Sequence, residues 1–335
     1  MSSAPTDHDP DPRPDEIEPD DDASEIRTFA VTLAQHGERL DKLLTAIAPE
    51  FSRAHLRSLI ADGRVQVEGK VSSSASARMK AGWRVHVELV RPAQDQAFKP
   101  EDIPLTVVYE DEHVMVIDKP AGLVVHPAAG NWSGTLLNGI LHRDPKAATL
   151  PRAGIVHRLD KDTSGLMVVG RTLEGVTGLM RDIASRVVSR KYLALVHGRL
   201  KTEKESIEAP IGRDPKVRVR MAVINSGKWA KTEIEQIAYA EGIAAVRCTL
   251  HTGRTHQIRV HMMFRGHPLV SDEVYGGRPA LGMERQALHA AHLAFKHPVT
   301  GAPLRFDSAP PDDFRQAWAH IVGDDLLEDF SDDLQ

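Results

Sequence analysis

The stretch Val156–Gly170 reads VHRLDKDTSGLMVVG and places a polar segment directly before a short apolar run. The run Leu166–Val169 is partly β-branched and lies between two glycines, which predicts a strand buried on both faces. Gly165 stands where the chain enters that strand, and a glycine there permits a positive φ or a close backbone contact. The polar residues are therefore expected on a loop held by a rigid scaffold, where catalytic residues are often found. A polar turn with no role beyond connecting two strands is the alternative.

The two acids of this stretch, Asp160 and Asp162, suggest the paired carboxylates of a glycoside hydrolase. Residues two apart share a face in an extended segment, so the geometry of such a pair is not excluded. However, Asp162 precedes a threonine, a serine and a glycine, which is typical of a residue that forms a turn. The pattern favours the turn for Asp162 over the carboxylate pair.

A second polar segment, residues 251–261, contains two arginines, three histidines and a glutamine. The histidines are spaced five apart, which fits neither one helical face nor the usual spacing of zinc ligands. An arginine from this segment is a candidate partner for Asp160, because a guanidinium matches a carboxylate and keeps it ionised.

Two further segments are less specific. Residues 189–198 alternate as a strand does and contain Tyr192, whose ring either stacks on a nucleic-acid base or packs in the core. Residues 286–292 contain two histidines in an apolar context, for which buried core histidines are the simpler interpretation.

The net charge of −5 conceals a basic body between two acidic ends. Residues 1–25 hold ten acids and one base, and residues 324–335 hold six acids and no base. The remaining residues hold 41 bases and 31 acids, a net charge of +10. A basic body favours a polyanionic partner such as nucleic acid, because neutralising phosphates supplies affinity that is independent of sequence. Two solvated tails on an ordinary enzyme are the alternative.

Other features narrow the class of protein. With 335 residues, the chain is long enough for two domains, and its single Cys248 excludes an internal disulfide and a cysteine-rich zinc site. No secretory signal and no run long enough to cross a membrane is visible, so a cytoplasmic protein is expected. The chain lacks the glycine-rich nucleotide motifs GxGxxG and GxxxxGK[ST]. Strands and helices alternate without a strict βαβ rhythm, which favours an α+β fold.

A small domain is predicted over residues 26–91, after a disordered acidic tail at 1–25. Helices are expected at 39–48 and 53–60, followed by short alternating strands, and Ser52 is the expected N-cap of the second helix. Arg53 and Arg57 lie on one face of that helix. This order of two helices and a hairpin, with bases on the second helix, resembles the S4-type RNA-binding domain. Residues 92–103 are predicted as a linker, 104–321 as the large domain and 322–335 as an acidic tail.

Four segments of the large domain together resemble the RluA-type family of RNA pseudouridine synthases. They are DKPAGLVVHP (118–127), HRLDKDTSGLMVV (157–169), HTGRTHQIRVHM (251–262) and QALHAAHL (286–293). The resemblance extends over about residues 27–320. The segments 119–131, 151–160 and 274–279 are most similar to the branch that acts on large-subunit (23S) ribosomal RNA.

The resemblance implies a mostly antiparallel mixed sheet, split by a cleft and flanked by helices. It implies that uridine in RNA is detached at its glycosidic bond and rejoined through carbon five, without a metal, nucleotide or redox cofactor. Asp160 is then the catalytic aspartate, attacking either ribose C1′ or uracil C6, and Arg259 is its ion-pair partner. Tyr192 packs on the target base, and Arg158 enters the RNA where the uridine flips out, which costs a few kcal/mol.

Other residues of these segments are expected to bind RNA or to shape the site. Lys161, Arg254 and His256 are expected to contact RNA, as are Arg53 and Arg57 of the small domain. The expected partner is large-subunit ribosomal RNA or its precursor particle, bound by a monomer. The alternatives are a synthase for other ribosomal or transfer RNA uridines, a non-catalytic RNA-binding assembly factor, and a hydrolase using Ser164 or the two aspartates. The hydrolase lacks a G-x-S-x-G elbow.

Overall fold

The computed structural model describes residues 25–90, 97–128, 131–217 and 220–323. The chain forms two compact units that divide between residues 93 and 94. The predicted N-terminal tail lies outside the described residues, apart from Glu25, as do most of the predicted C-terminal tail and half of the predicted linker. Within the described ranges, no helix is long and apolar enough to cross a membrane.

The first unit is a four-stranded antiparallel sheet with two helices. In chain order, its elements are β1 (Glu25–Ala30), α1 (Leu40–Ile47), α2 (Arg53–Ala61), β2 (Val65–Val67), β3 (Lys70–Val71) and β4 (Arg84–Leu89). The strand order is β1-β4-β2-β3. Both predicted helices are present, and the Ser52 side chain accepts a hydrogen bond from the His55 N–H as the N-cap of α2. Leucines of both helices pack against valines of β2 and β4 in one core.

The second unit is built on a nine-stranded mixed sheet. Its strands are β5 (Thr106–Glu110), β6 (Val114–Lys119), β7 (Ser164–Gly170), β8 (Ser189–His197), β9 (Lys204–Glu208), β12 (Lys231–Ala240), β13 (Ile243–Leu250), β14 (Leu288–Lys296) and β15 (Pro303–Asp307). The order is β5-β6-β7-β14-β8-β13-β12-β9, with β15 beside β14. A separate hairpin joins β10 (Ile211–Arg213) to β11 (Met221–Val223). The α+β architecture predicted from the sequence is confirmed.

The helices of this unit cover both faces of the sheet. They are α3 (Leu136–Arg143), α4 (Leu173–Ala184), α5 (Gln257–Phe264) and α6 (Asp312–Val322). Alternate strand residues pack with α3 and α5 on one face, and with α4 and α6 on the other. Every residue of β7 is buried, as the apolar run predicted. Tyr192 belongs to the core on the α3 and α5 face.

Strand β14 joins two halves of the sheet, because it lies between β7 and β8. It is antiparallel to β8 and parallel to β7, where Ser164 pairs with His289 and Gly165 with Ala290. Gly165 has a φ of 112°, and a Cβ there would lie 2.2 Å from the Ala290 carbonyl oxygen. Only glycine permits this approach, so the residue before the apolar run fixes where the two halves meet.

Candidate active site

The loop that carries Asp160 lies between the short 3-10 turn at Pro151–Gly154 and β7. It closes on itself where the Thr163 N–H donates to the Asp160 carbonyl oxygen at 3.1 Å. The Lys161 carbonyl accepts hydrogen bonds from the Gly122 N–H and from the Lys119 Nζ, both at 2.9 Å. The polar loop is therefore anchored to the end of β6, which fixes the backbone on either side of Asp160.

Lys119 is the anchor of this loop, and it is fully buried. Its Nζ donates to the carbonyls of Pro120, Leu123 and Lys161 at 2.7–2.9 Å, which uses all three ammonium protons. Burial lowers the pKa of Lys119 to about 8, although Asp162 and Asp160 oppose the shift. Three backbone acceptors satisfy a buried cation here in place of a carboxylate.

Asp160 is the first member of a chain of three charges. The Nη1 of Arg259 lies 3.0 Å from its Oδ2, and the side chain of Asp160 is 13% exposed, so one edge of the carboxylate stays accessible. Arg259 in turn donates from Nε and Nη2 to the two oxygens of Asp272, at 2.7 and 2.8 Å. Asp272 is wholly buried. The bidentate contact fixes the plane of the guanidinium, and Nη1 is left to hold Asp160.

The two carboxylates stabilise the charge of Arg259. Burial acts against that charge, but the hydrogen bond with Asp272 and the charges of Asp160 and Asp272 outweigh burial and raise the pKa of Arg259. One guanidinium thus serves two carboxylates. Asp160 is the member of the pair of acids that lines the cleft.

His256 and Tyr275 bound the other side of Asp160. His256 is the N-cap residue of α5 and has a left-handed backbone with φ 56°. Its Nε2 lies 3.9 Å from Oδ1 of Asp160, and its Nδ1 lies 2.8 Å from the Tyr275 hydroxyl. The ring of Tyr275 also packs against the Arg259 guanidinium, 4.9 Å from its centroid. Burial lowers the pKa of His256, with Asp160 opposing, so the histidine shapes the site as a neutral ring.

Tyr192 lines the same cleft from β8. Its side chain is 5% exposed, and burial raises the pKa of its hydroxyl. The charge of Arg190 opposes that shift, and the charge of Asp160 adds to it. A neutral aromatic ring that lines the same cleft as a carboxylate is suited to pack on a planar base.

Thr163 and Ser164 are buried and structural. The Ser164 hydroxyl contacts Nδ1 of His289 at 3.0 Å, and the Nε2 of that ring contacts the Ser308 carbonyl. Thr163 receives a weak hydrogen bond from Gln286 at 3.4 Å. Asp162 contributes its carbonyl, which accepts from Arg285 at 2.9 Å, in keeping with a turn residue. Ser164 has its partner in the core and is not aimed at the cleft as a hydrolase nucleophile would be.

Arginines dominate the rim of the cleft, which has a volume of about 600 Å³. Arg158 and Arg254 are exposed and line it, together with Arg152 and Arg186. The Nε of Arg254 donates to the Trp229 carbonyl at 3.2 Å, and the Arg186 guanidinium lies 4.2 Å from the centre of the Trp229 ring. The space is large enough for a nucleotide, and its rim is positively charged.

The remaining residues expected to bind RNA lie elsewhere. Lys161 has an exposed side chain beside the cleft residues. Arg53 and Arg57 belong to the first unit, on α2. Arg53 makes an ion pair with Asp41 at 3.0 Å, and Arg39 pairs with the same buried carboxylate. Hydrogen bonds from Arg39, and then from Arg53, lower the pKa of Asp41 to about 2, so Arg53 also stabilises the fold.

The part of the chain that the structure describes contains no evident metal-binding site. No group of three or more histidine, cysteine, aspartate or glutamate side chains is placed to hold an ion there. The histidines of residues 251–261 do not share one site. His261 is buried against Thr232 and the Ala209 carbonyl, while His256 lies near Asp160.

Three residues of the site were not identified from the sequence. Asp272, Tyr275 and Lys119 hold Arg259, His256 and the Asp160 loop, respectively. Lys119 could have been identified from the sequence, because a lysine at the end of an apolar strand and before Pro-Ala-Gly is unusual. Asp272 and Tyr275 lie on a 3-10 turn at Glu273–Tyr275 and its flank, and their position depends on tertiary contacts alone.

Known proteins resemble both the sequence and the fold. The profile of the RNA pseudouridylate synthase family matches residues 113–263. The ribosomal large subunit pseudouridine synthase D of Xanthomonas campestris pv. campestris is 45% identical over 314 residues, covering 90% of this chain and 94% of that protein. The protein of the same name from Pseudomonas aeruginosa is 47% identical over 301 residues, covering 86% and 93%. The structure of human RNA pseudouridylate synthase domain containing 1 superimposes with a TM-score of 0.53 at 26% identity, covering 69% of this chain and 93% of that one.

The family match and the relatives place this fold, with its aspartate–arginine pair at the cleft, among RNA-modifying isomerases. The chain belongs to the RNA pseudouridylate synthase family. It is an enzyme, a pseudouridine synthase.

Proposed function

We propose that this enzyme converts uridines of large-subunit (23S) ribosomal RNA to pseudouridine, with Asp160 as the reacting carboxylate. The observation that carries the proposal is the chain Asp160–Arg259–Asp272, which presents one arginine-bound carboxylate at a basic cleft. The substrate is inferred from the relatives, which are named for the large ribosomal subunit and match nearly the whole chain.

The reaction is an isomerisation, so nothing enters or leaves except protons. The bond between C1′ of ribose and N1 of uracil breaks, the base rotates, and C5 bonds to C1′. The proton on C5 is lost, and N1 gains one. Asp160 acts as a nucleophile or a base, and Arg259 holds its carboxylate in place at 3.0 Å. A charge fixed before the substrate binds does not have to reorganise during the reaction.

The target uridine must leave the RNA stack to reach Asp160. Arg158 is exposed on the same loop, two residues before Asp160, and is proposed to take the place of the flipped base. Tyr192 is proposed to pack on the base in the cleft, where aromatic stacking contributes about 1–3 kcal/mol. Lys161, Arg254 and His256 are proposed to contact the RNA around the flipped nucleotide. Flipping costs a few kcal/mol and favours uridines in loops.

The first unit is proposed to be an S4-like RNA-binding domain, and residues 104–321 the catalytic domain. Arg57 lies on α2, beside the serine-rich loop of residues 73–76, and these residues line an open groove with Arg39. Arg57 has no ion-pair partner among the described residues, whereas Arg53 is paired with Asp41. Arg57 is therefore the better single site for testing RNA contact by this unit.

Mass-spectrometric mapping of pseudouridine tests the proposal. Protein-free 23S ribosomal RNA transcript is incubated with the wild type, with Asp160→Asn or with the control Asp162→Asn, whose carbonyl rather than carboxylate makes the structural contact. Wild type and control are expected to modify the same uridines. Asp160→Asn is expected to bind the RNA while its rate falls by at least about a thousandfold.

Two results would remove the proposal. Wild-type enzyme that leaves 23S ribosomal RNA unmodified, but modifies a transfer RNA, would contradict the substrate. An active Asp160→Asn enzyme would contradict the assigned carboxylate. In the same assay, Arg57→Ala is expected to weaken RNA binding without changing the rate at saturating RNA; unchanged binding would contradict the role of the first unit.

A further inference from the structure

Arg190 is a buried cation that the proposed chemistry does not use. It lies on β8, two residues before Tyr192, so both side chains leave the strand on the same face. Both line the cleft, and Arg190 is 4% exposed. Its guanidinium makes no hydrogen bond or ion pair within the described ranges, and its buried Nε has no partner. Burying an unpaired charge is costly, so this position is unexplained by folding alone.

Arg259 is a buried arginine of this protein whose charge is balanced by carboxylates. It is 5% exposed, like Arg190, but it has three contacts to two carboxylates. No carboxylate of the described residues makes an ion pair with Arg190. Burial lowers the pKa of Arg190, and the Tyr192 hydroxyl opposes the shift. The two arginines differ in partner and not in burial, which points to a partner for Arg190 that arrives with the substrate.

His157 supplies a second unpartnered donor in the same cleft. Its Nε2 accepts a hydrogen bond from the Val168 N–H at 3.0 Å, so the neutral ring carries its proton on Nδ1. That buried Nδ1 has no partner in the described part of the chain. Burial, and then the charge of Arg190, lower the pKa of His157 to about 3, which keeps the ring neutral. Both residues line the cleft.

The guanidinium lies beside the loop between β13 and α5. A Cβ added to Gly253 would lie 3.0 Å from Nη1 of Arg190. A cation and a neutral N–H donor that line one cleft, each with a buried nitrogen that has no partner among the described residues, form a site for an anionic oxygen. The RNA substrate brings such oxygens in its phosphodiester groups, whereas uracil and ribose are uncharged when they bind.

We infer that Arg190, with the His157 Nδ1–H of the same cleft, binds one backbone phosphate of the RNA next to the flipped uridine. This inference rests on the proposed function, because it requires RNA in the cleft. It adds a phosphate subsite inside the cleft to the exposed arginines of its rim. The subsite fixes the nucleotide by its backbone while Tyr192 packs on its base.

Neutral linkages in the RNA provide the test. A short hairpin containing a uridine mapped in the 23S ribosomal RNA is made with single methylphosphonate linkages, scanned through the nucleotides around it. In each hairpin, the nucleotide that carries the methylphosphonate also carries a 2′-O-methyl group. The matched control has the same 2′-O-methyl group and an ordinary phosphate. Full-length wild type is expected to lose about tenfold or more in affinity at one linkage. Arg190→Met is expected to bind the all-phosphate hairpin as weakly as wild type binds the hairpin with that neutral linkage. Its affinity is expected to fall no further when that linkage is made neutral.

Two more measurements separate binding from structure. Free Arg190→Met is expected to unfold at a higher temperature than wild type, because a buried unpaired charge has been removed. The salt dependence of its RNA affinity is expected to fall by about 0.7 in log–log slope, the loss of one phosphate contact. Arg190→Lys keeps a charge and is expected to recover part of the affinity. Arg315→Met, which removes an exposed arginine of α6, is the control and is expected to match wild type in all three measurements.

The inference fails if Arg190→Met loses as much further affinity as wild type at the linkage where wild type is sensitive, or if it unfolds at a lower temperature. It also fails if affinity is unchanged and only the single-turnover rate falls, because Arg190 would then act on the base and not on a phosphate. Failure of the wild type to bind or modify the hairpin would instead contradict the proposed function. The two failures are therefore distinguishable.

Discussion

Arg259 stands between two carboxylates, with its Nη1 3.0 Å from Asp160 and its Nε 2.7 Å from Asp272. The two acids have unequal access: Asp272 is wholly buried, while Asp160 reaches the cleft. The buried acid orients the arginine, and the arginine orients the accessible acid. The position of the carboxylate that we propose as the reacting group therefore depends on a residue that does not line the cleft.

Asp272→Asn is expected to lower the single-turnover rate by about a hundredfold, because a small displacement of Arg259 misplaces the Asp160 carboxylate. Stability is expected to fall by about 3 kcal/mol in urea unfolding, since one partner of a buried ion pair is removed. RNA affinity is expected to stay the same. Asp312→Asn, which alters an exposed ion pair of α6, serves as the control. A wild-type rate in Asp272→Asn would show that Arg259 needs no second carboxylate.

Replacements of Tyr192 separate the ring from the hydroxyl. Tyr192→Phe keeps the ring and is expected to retain RNA affinity and a rate within about tenfold of wild type, since the hydroxyl is buried and neutral. Tyr192→Leu is expected to lose about tenfold or more in rate at saturating RNA, because stacking on the base is removed. Equal losses in both variants would assign the effect to the hydroxyl. Circular dichroism checks that each variant is folded.

Lys119 gives the protein a distinct pH dependence. Folded Lys119 has a pKa of about 8, and an unfolded lysine has one near 10.5. Between these values the unfolded chain binds more protons, so the free energy of unfolding rises with pH through this window, by about 3 kcal/mol from this group. Below pH 8 both states are protonated, and the contribution is constant. Urea unfolding of wild type and Lys119→Met at several pH values measures it.

As the pH rises from 8 to 10.5, the free energy of unfolding of wild type is expected to rise relative to that of Lys119→Met. Parallel curves for the two proteins would contradict the lowered pKa. Loss of the three hydrogen bonds to backbone carbonyls is also expected to loosen the Asp160 loop, so the variant should have a lower rate at neutral pH.

Gly165→Ala is expected to destabilise the protein by at least about 3 kcal/mol, because its Cβ would meet the Ala290 carbonyl at 2.2 Å. Gly301→Ala is the matched control, since its φ is 72° and nothing lies within 4 Å of an added Cβ. That variant should lose only about 1–2 kcal/mol, the cost of a left-handed backbone. Similar unfolding midpoints for the two variants would contradict the close contact between β7 and β14.

Local patterns predicted much of the fold. The apolar run before Gly170 is a fully buried strand, and the helices of the first unit lie within a residue or two of their expected bounds. These elements are set by short-range periodicity and by caps such as Ser52. The Asp160–Arg259 contact was also expected, from the chemistry of the two groups and from the family resemblance, and lies at 3.0 Å.

Long-range placement was not predictable in the same way. Residues 286–292 carried no clear signal, yet they belong to β14, the strand that joins both halves of the sheet. His289 is a core histidine, as expected, but its partners Ser164 and Ser308 depend on that strand order. Asp272 and Arg190 became recognisable only through their surroundings: Asp272 by its contacts with Arg259, and Arg190 by a buried Nε that has no partner among the described residues.

The position of β14 determines when during synthesis the enzyme can first become active. Asp160 precedes β7, and Tyr192 lies on β8, but these strands become neighbours only through β14, which starts at Leu288. The contact between Ser164 and His289 spans 125 residues, and that between Asp118 and Ser308 spans 190. Loop closure over such lengths precedes any gain from the contacts. A nascent chain that ends before Leu288 therefore has no assembled cleft, and catalytic activity marks the completion of folding of the second unit.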